Sequence, residues 1–142
     1  FKKERIKNKI ELVRGDLNDG VNIHNASVVI LNLTLQFVRP LYRDNIIRNI
    51  YAGLNEKGCL ILVEKVLGDD STFNSMFIKF YYEMKKRNGY TETEIAHKRE
   101  ALENVLIPYR LDENKQLLMR NGFLCQDIFY KWYNFCGIVA IK

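Results

Sequence analysis

An alternation of apolar runs with one helical pattern constrains the fold of this 142-residue chain more than any other feature. Residues 26–33 form a largely apolar run of the kind seen in strands covered on both faces, and residues 59–64 form another. Between them, apolar side chains recur at helical spacing at Ile46, Ile47, Ile50, Tyr51 and Leu54. Strand, helix and strand in this order predict a right-handed crossover between parallel strands.

The flanking segments extend this pattern. Residues 10–13 predict a short strand that ends in a glycine-bounded turn at residues 15–20. Beyond the crossover, a stripe from Phe73 to Met84 predicts a long helix that ends at Asn88-Gly89. The members of this stripe are Phe73, Met76, Phe77, Phe80, Tyr81 and Met84, which predict either core packing or a subunit contact.

The last third of the chain predicts two more helices and a hairpin. Thr91 with Glu94 three residues later is a capping box that opens one helix, and residues 112–121 form another, stopped by Gly122. Residues 123–133 and 135–141 predict a terminal antiparallel pair. We therefore expect a single α/β domain over residues 1–142, with parallel strands first and an antiparallel hairpin last.

Composition excludes some classes of protein and leaves others open. No apolar run reaches the length of a membrane span, and no signal-peptide pattern opens the chain, so we expect a cytoplasmic protein. The formal charge of +5 permits RNA or another anion as a partner, but the basic residues are scattered at positions 2–9 and 85–87. Cys59, Cys125 and Cys136 predict buried free thiols, and no zinc-ligand spacing is present.

Three strand ends are candidate site positions, because ligands of open α/β sheets bind beyond the carboxyl ends of the strands. These positions are Asp16, Asn32 and Glu64. Asp16 can accept a hydrogen bond from an exocyclic amine, or it can simply form a turn with its own backbone. Asn32, with Thr34 and Gln36, is predicted to line the crevice, since a buried amide is costly unless it is paired.

Arg99 is the most informative single residue. It shares one helix face with Ile95 and Leu102, so its guanidinium must either reach solvent or find a partner. Glu103, four residues on, is one possible partner, and an acidic ligand is the other. No Ser-His-Asp or Cys-His set and no phosphate-binding glycine loop is visible.

Several motifs together resemble a known enzyme family. Gly15-Asp16-Leu17 and residues 26–37 and 50–55 look like the second half of a class I S-adenosylmethionine-dependent methyltransferase domain. Residues 86–95, Lys98-Arg99 and residues 102–105 resemble, more specifically, the carboxy-S-adenosyl-L-methionine synthase family. The resemblance runs from about residue 11 to the end, and residues 90–105 separate this family from plain methyltransferases.

The resemblance implies a function and a set of site residues. The family makes carboxy-S-adenosyl-L-methionine from S-adenosyl-L-methionine and prephenate, and a separate enzyme uses the product to carboxymethylate the wobble uridine of certain tRNAs. In this family prephenate loses carbon dioxide and takes a proton from the sulfonium methyl group, and the resulting ylide captures the carbon dioxide. By motif, Asp16 and Leu17 would hold the adenine, Asn32 would face the methionine portion, and Arg99 would bind the new carboxylate as the catalytic residue. No metal, no membrane contact and no direct nucleic-acid binding is expected, and the family forms homodimers.

The chain departs from the family by lacking its first half, including the glycine-rich strand-to-helix turn. We therefore expect residues 1–142 to be the C-terminal portion of the domain, with the N-terminal strands missing, and not to fold stably or bind the cofactor alone. Two alternatives remain: an ordinary S-adenosylmethionine-dependent methyltransferase, which needs no cation beside the methyl group, and a noncatalytic RNA- or partner-binding domain.

Overall fold

A computed structural model describes residues 10–20 and 22–142, so the basic residues at positions 2–9 lie outside the described part. Its centre is a four-stranded mixed sheet with the strand order β1-β2-β4-β3. The strands are β1 (Ala26–Asn32), β2 (Leu54–Lys65), β3 (Cys125–Trp132) and β4 (Phe135–Ile141). The helices are α1 (Pro40–Gly53), α2 (Ser71–Arg87), α3 (Glu92–Ala101) and α4 (Leu111–Arg120), with 3-10 turns at Leu17–Asp19 and Leu35–Phe37.

The predicted parallel pairing of two strands through a helix is confirmed. Strands β1 and β2 are parallel, with Val28 opposite Cys59 and Asn32 opposite Val63, and α1 connects them. Pro40 occupies the first turn of α1, where a missing N–H costs nothing. One face of the sheet packs against α1 and α4 to form the core. Its most deeply buried members include Ile46, Ile47, Ile50, Leu60, Leu62, Leu117, Leu118, Ile138 and Ala140.

Residues 55–58 form an irregularity inside β2. Ala26 pairs with Leu54 but Val28 pairs with Cys59, so five residues of β2 span two of β1. Lys57 takes a positive φ of 62° within this irregularity. The extra residues form a bulge that lets the strand start directly from the end of α1.

The terminal hairpin is also confirmed. Strands β3 and β4 are antiparallel and β4 pairs with β2, also in the antiparallel sense. The hairpin turn at Tyr133 and Asn134 packs beneath α2, because Phe77 and Phe80 each contact the Tyr133 ring at 5.9 and 5.2 Å between centroids. Part of the predicted aromatic stripe is therefore internal packing, while Phe73 and Met76 are exposed.

The expectation of a strand at residues 10–13 is wrong. These residues form no strand, and Leu12 and Val13 are 94% and 81% exposed. A strand requires a partner for its backbone hydrogen bonds, and among the described residues β1 pairs only with β2. Strand β1 is also covered on one face only among the described residues: Leu31 is buried, whereas Val28 and Ile30 are 52% and 61% exposed.

The helix ends follow their sequence signals. The capping box of α3 is formed, with the Glu94 N–H donating to Thr91 Oγ1 and the Thr91 N–H donating to Glu94 Oε2. Gly122 ends α4 at a φ of +107°, with the Tyr51 ring where a β-carbon would stand.

The cysteines are free, as expected, but they are not all buried. Cys136 is buried, Cys59 is partly buried and Cys125 is exposed. Among residues 10–20 and 22–142, no helix has the length and apolar character to cross a bilayer.

Candidate functional site

Two cavities lie where the parallel strands reach their carboxyl ends. The first, here the Asp16 crevice, has a volume of about 820 Å³ and is lined by residues 14–18 together with Leu33, Thr34, Phe37 and Val38. The second, here the basic pocket, has a volume of about 510 Å³ and lies between the end of β2, α2 and α3. The basic pocket is bordered by Lys65, Tyr81, Tyr82, Lys85, Lys98 and Arg99.

Strand β1 stops because the backbone reverses at Leu33. This residue has a φ of +52°, which is uncommon for a leucine, and its N–H still donates to the Val63 carbonyl at 2.7 Å. The Thr34 hydroxyl then donates to the Asn32 carbonyl at 2.9 Å. The chain leaves the sheet here and forms the 3-10 turn at Leu35–Phe37, which stands beside the Asp16 crevice.

Glu64 holds this turn in place. Its Oε1 accepts the N–H groups of Thr34 and Leu35 at 3.2 and 2.8 Å, and its Oε2 accepts the Gln36 N–H at 3.0 Å. The side chain is only 3% exposed, and burial raises the pKa of its carboxyl to about 7, against the lowering effect of the three N–H donors. Glu64 is therefore a structural clamp and not a strand-end group open to a ligand.

Gln36 does not line the Asp16 crevice, which corrects the prediction. It is buried, its side-chain Oε1 accepts the Lys65 N–H at 2.9 Å, and its carbonyl accepts the Ile107 N–H at 2.9 Å. It thus connects the turn after β1 to the end of β2 and to the segment that follows α3. Thr34 does line the crevice, as predicted.

The role of the buried Arg43, like the contacts of Glu64, was not found from the sequence. Its Nε donates to the Val38 carbonyl at 2.9 Å, its Nη2 donates to the Ile107 carbonyl at 2.6 Å, and its guanidinium lies 4.1 Å from the centre of the Tyr109 ring. Burial lowers its pKa, while Tyr109 and Glu64 oppose that shift. Arg43 and Gln36 together fix residues 106–108, which form one wall of the basic pocket through Leu106 and Pro108.

Asp16 and Leu17 both border the Asp16 crevice, as predicted. The Asp16 carboxylate caps the first 3-10 turn, because its Oδ1 accepts hydrogen bonds from the Asn18 backbone N–H and side-chain Nδ2, each at 2.8 Å. The turn-forming role is therefore real. Both of these bonds use Oδ1, which leaves Oδ2 available to accept a donor such as an exocyclic amine.

Asn32 is exposed and is not among the residues that border the Asp16 crevice. The structure therefore brings Asp16, Leu17 and Thr34 together and leaves Asn32, the exposed last residue of β1, outside the crevice lining, which corrects the prediction that a buried Asn32 lines it. Its assignment to the methionine portion of a ligand stays a prediction.

Arg99 borders the basic pocket from α3. It is exposed, and it forms no ion pair with Glu103 or with any other acidic residue in the described part of the chain. The internal Arg99–Glu103 pair is thus not formed, although Glu103 borders the same pocket. Three lysines accompany Arg99 there, so the pocket carries an excess of positive charge suited to an anion.

The lysines of the basic pocket are the main site feature that the sequence did not reveal. Lys65 ends β2, Lys85 lies in the last turn of α2 and Lys98 lies in α3. The available signal was the apolar stripe of α2, whose Tyr81 side faces these cations. Within residues 10–20 and 22–142, no cluster of His, Cys, Asp and Glu is suited to hold a metal ion.

Solved structures with similar folds define the class of protein. An O-methyltransferase family 2 protein from Planctomyces limnophilus aligns over 90% of this chain and 33% of its own, with a TM-score of 0.60 and 18% identity. Human N-acetylserotonin methyltransferase aligns over 92% of this chain and 33% of its own, with a TM-score of 0.58 and 17% identity. The fold is that of the class I S-adenosylmethionine-dependent methyltransferases.

Curated sequence relatives share one name. The chain is 64% identical over 135 residues to the carboxy-S-adenosyl-L-methionine synthase of Methylococcus capsulatus. The alignment covers 95% of this chain and 56% of that protein. It is 44% identical over 142 residues to the synthase of Desulforapulum autotrophicum, covering 100% of this chain and 57% of that protein. The chain is homologous to the carboxy-S-adenosyl-L-methionine synthases and spans about half the length of these curated relatives. No family model matches the chain.

Proposed function

We propose that this chain is part of an enzyme that makes carboxy-S-adenosyl-L-methionine from S-adenosyl-L-methionine and prephenate. The observation that carries the proposal is the position of Arg99 in the basic pocket, without an ion pair to a described acidic residue. A methyltransferase needs no cation to receive a carboxylate, whereas an enzyme that forms one beside a sulfonium does. The names of the homologous proteins support the same reaction.

The proposed chemistry transfers a carboxyl group as carbon dioxide. Prephenate loses its ring carboxylate as carbon dioxide and its ring hydroxyl as hydroxide, and phenylpyruvate remains. The departing hydroxide takes the proton from the sulfonium methyl group and becomes water. The ylide carbon left on S-adenosyl-L-methionine then forms a bond to carbon dioxide. Arg99 binds the resulting carboxylate with its guanidinium, which matches two carboxylate oxygens at once.

S-adenosyl-L-methionine would bind in the Asp16 crevice. Its volume of about 820 Å³ and its mixed polar and apolar lining fit part of a nucleoside, with Oδ2 of Asp16 available to the adenine amine and Leu17 against the ring. Asn32, the last residue of β1, would approach the methionine portion of the ligand.

We further propose that the protein is a homodimer whose product serves wobble-uridine carboxymethylation in tRNA. The dimer is supported by Phe73 and Met76 of α2, which are 56% and 41% exposed on one helix face. The expected partners of the site are small molecules. The role in tRNA modification is the one that the family resemblance implies. It requires no contact between this chain and nucleic acid.

The direct test is product formation by the intact protein. Purified protein incubated with S-adenosyl-L-methionine and prephenate should yield carboxy-S-adenosyl-L-methionine and phenylpyruvate in equal amounts, measured by mass spectrometry. Methylation of an added acceptor in place of carboxylation, or retention of S-adenosyl-L-methionine alone after purification from cells, would support an ordinary methyltransferase and contradict the proposal.

A further inference from the structure

The basic pocket contains more positive charge than one carboxylate at Arg99 can use. Lys65, Lys85, Lys98 and Arg99 border it, and Glu103 is the one carboxylate among its lining residues. Like charges that share a partly dry pocket repel each other, so the arrangement is costly while no anion is bound.

Lys85 is the clearest sign of a missing partner. The residue is only 8% exposed, and its ammonium donates no hydrogen bond to any residue of the described chain. It lies 4.6 Å from the centre of the Tyr81 ring and about 6 Å from those of Tyr82 and Tyr90. Burial lowers its pKa, and the charge of Lys98 lowers it further. Aromatic faces compensate a cation only in part, and the ammonium, which borders the basic pocket, has no hydrogen-bond acceptor among the described residues.

Lys65 approaches the same region from the opposite wall. It is the last residue of β2, and its ammonium lies 5.1 Å from the centre of the Tyr81 ring that also faces Lys85. Burial lowers its pKa, and the charge of Lys85 adds to that effect. Two cations on one tyrosine ring, from different secondary-structure elements, form a site built for a negatively charged group.

The remaining walls limit what that group can be. Tyr81 and Tyr82 provide flat aromatic surface, and Ile95, Leu102, Leu106 and Pro108 provide apolar surface. A volume of about 510 Å³ accepts a small molecule with a ring. The matching ligand is a compact organic acid with one or two carboxylates on an apolar cyclic body.

We infer that Lys65 and Lys85 are specificity-determining residues that bind a carboxylate of the second, acidic substrate, while its ring lies against Tyr81 and Tyr82. The inference rests on the proposed function and extends it, since it names the residues that hold the carboxyl donor. Lys65 also places this substrate beside the turn held by Gln36 and Glu64, on the other side of which lies the Asp16 crevice.

The test compares single charge removals in the intact protein. Lys85→Met and Lys65→Met keep the apolar stem and remove the ammonium, so each should raise the KM for prephenate about tenfold or more and change the KM for S-adenosyl-L-methionine less than twofold. Arg87→Met is the matched control, because Arg87 is exposed at the end of the same helix and borders neither cavity. Its KM for prephenate should equal that of the wild type.

Each outcome decides the inference separately from the proposed function. An unchanged KM for prephenate in both lysine variants, with carboxylated product still formed, overturns the inference and leaves the proposed function standing. If the wild type forms no carboxylated product, the proposed function fails, and calorimetric binding of prephenate then tests the pocket alone. A wild type that does not bind prephenate overturns the inference.

A measurement on the wild type covers the case in which the variants do not fold. Burial lowers the pKa of the two lysines and a bound anion raises it again, so prephenate binding should be accompanied by proton uptake within an alkaline pH series. Calorimetry in two buffers of different ionisation enthalpy measures this uptake, and its absence contradicts the inference.

Discussion

The carboxylate of Glu64 organises the turn between the two cavities. Its oxygens accept N–H bonds from three consecutive residues, Thr34, Leu35 and Gln36, which lie 28 to 30 positions away in sequence. The sequence placed Glu64 at a strand end but held no signal for these bonds, since the partners become neighbours only through the parallel pairing of β1 and β2. Arg99, by contrast, was a candidate from its position on an apolar helix face, which left open an internal pair with Glu103 or an acidic ligand, and the family resemblance implied the ligand.

At this scale we predict a pH-dependent stability that Glu64→Gln removes. The folded state raises the pKa of Glu64 from 4.5 to about 7, so it binds more protons than the unfolded state between these values. The contribution of Glu64 to the free energy of unfolding should therefore fall as pH rises from about 5 to 8, by at most about 3 kcal/mol. Above about pH 8 it should level off.

Urea unfolding of the intact protein at pH 5, 6, 7 and 8 measures this effect. The free energy of unfolding of the wild type minus that of Glu64→Gln should decrease across the series. Glu83→Gln, which removes a carboxylate from an exposed position of α2, is the matched control. A wild-type to Glu64→Gln difference that is constant with pH would refute the assignment.

At the scale of elements, local sequence patterns predicted α1 to α4 and the hairpin. Whether another apolar segment forms a strand depends on the presence of a pairing partner. The capping box of α3, the crossover helix α1 and the β3–β4 pair all depend on residues close in sequence. Residues 10–13 are as apolar as a strand, but they have no pairing partner among the described residues and form no strand. The spacing of apolar residues indicates which face of a helix or strand can be buried. It does not indicate whether another element covers that face.

We predict that α3, which carries Lys98 and Arg99, depends on its capping box. Thr91→Ala removes the hydroxyl that accepts the Glu94 N–H, and should destabilise the helix by about 1 kcal/mol. Amide hydrogen exchange across Glu92–Ala101 should accelerate about fivefold, with little change in β2. Thr93→Ala, an exposed threonine inside the same helix, is the control, and exchange that accelerates equally in both variants would contradict the role of the cap.

At the scale of the whole molecule, the sheet brings together residues that sequence order keeps apart. Lys65, Lys85 and Arg99 belong to β2, α2 and α3, and their convergence on one pocket follows from tertiary packing. The resemblance predicted Asp16, Leu17, Asn32 and Arg99 as site residues. Asp16 and Leu17 border one cavity and Arg99 borders the other, whereas Asn32 borders neither. The lysines were missed because they lie far from one another in sequence, at positions 65, 85 and 98, and are typical of a solvated surface.

The central claim is that the guanidinium of Arg99 receives the carboxylate that distinguishes the product from S-adenosyl-L-methionine. The most direct measurement is the Kd of each of these two ligands for the intact wild type and for Arg99→Ala. Loss of a charge-assisted, two-oxygen contact should weaken carboxy-S-adenosyl-L-methionine about 10- to 100-fold and S-adenosyl-L-methionine less than threefold. Equal weakening of both ligands, or of neither, would contradict the account.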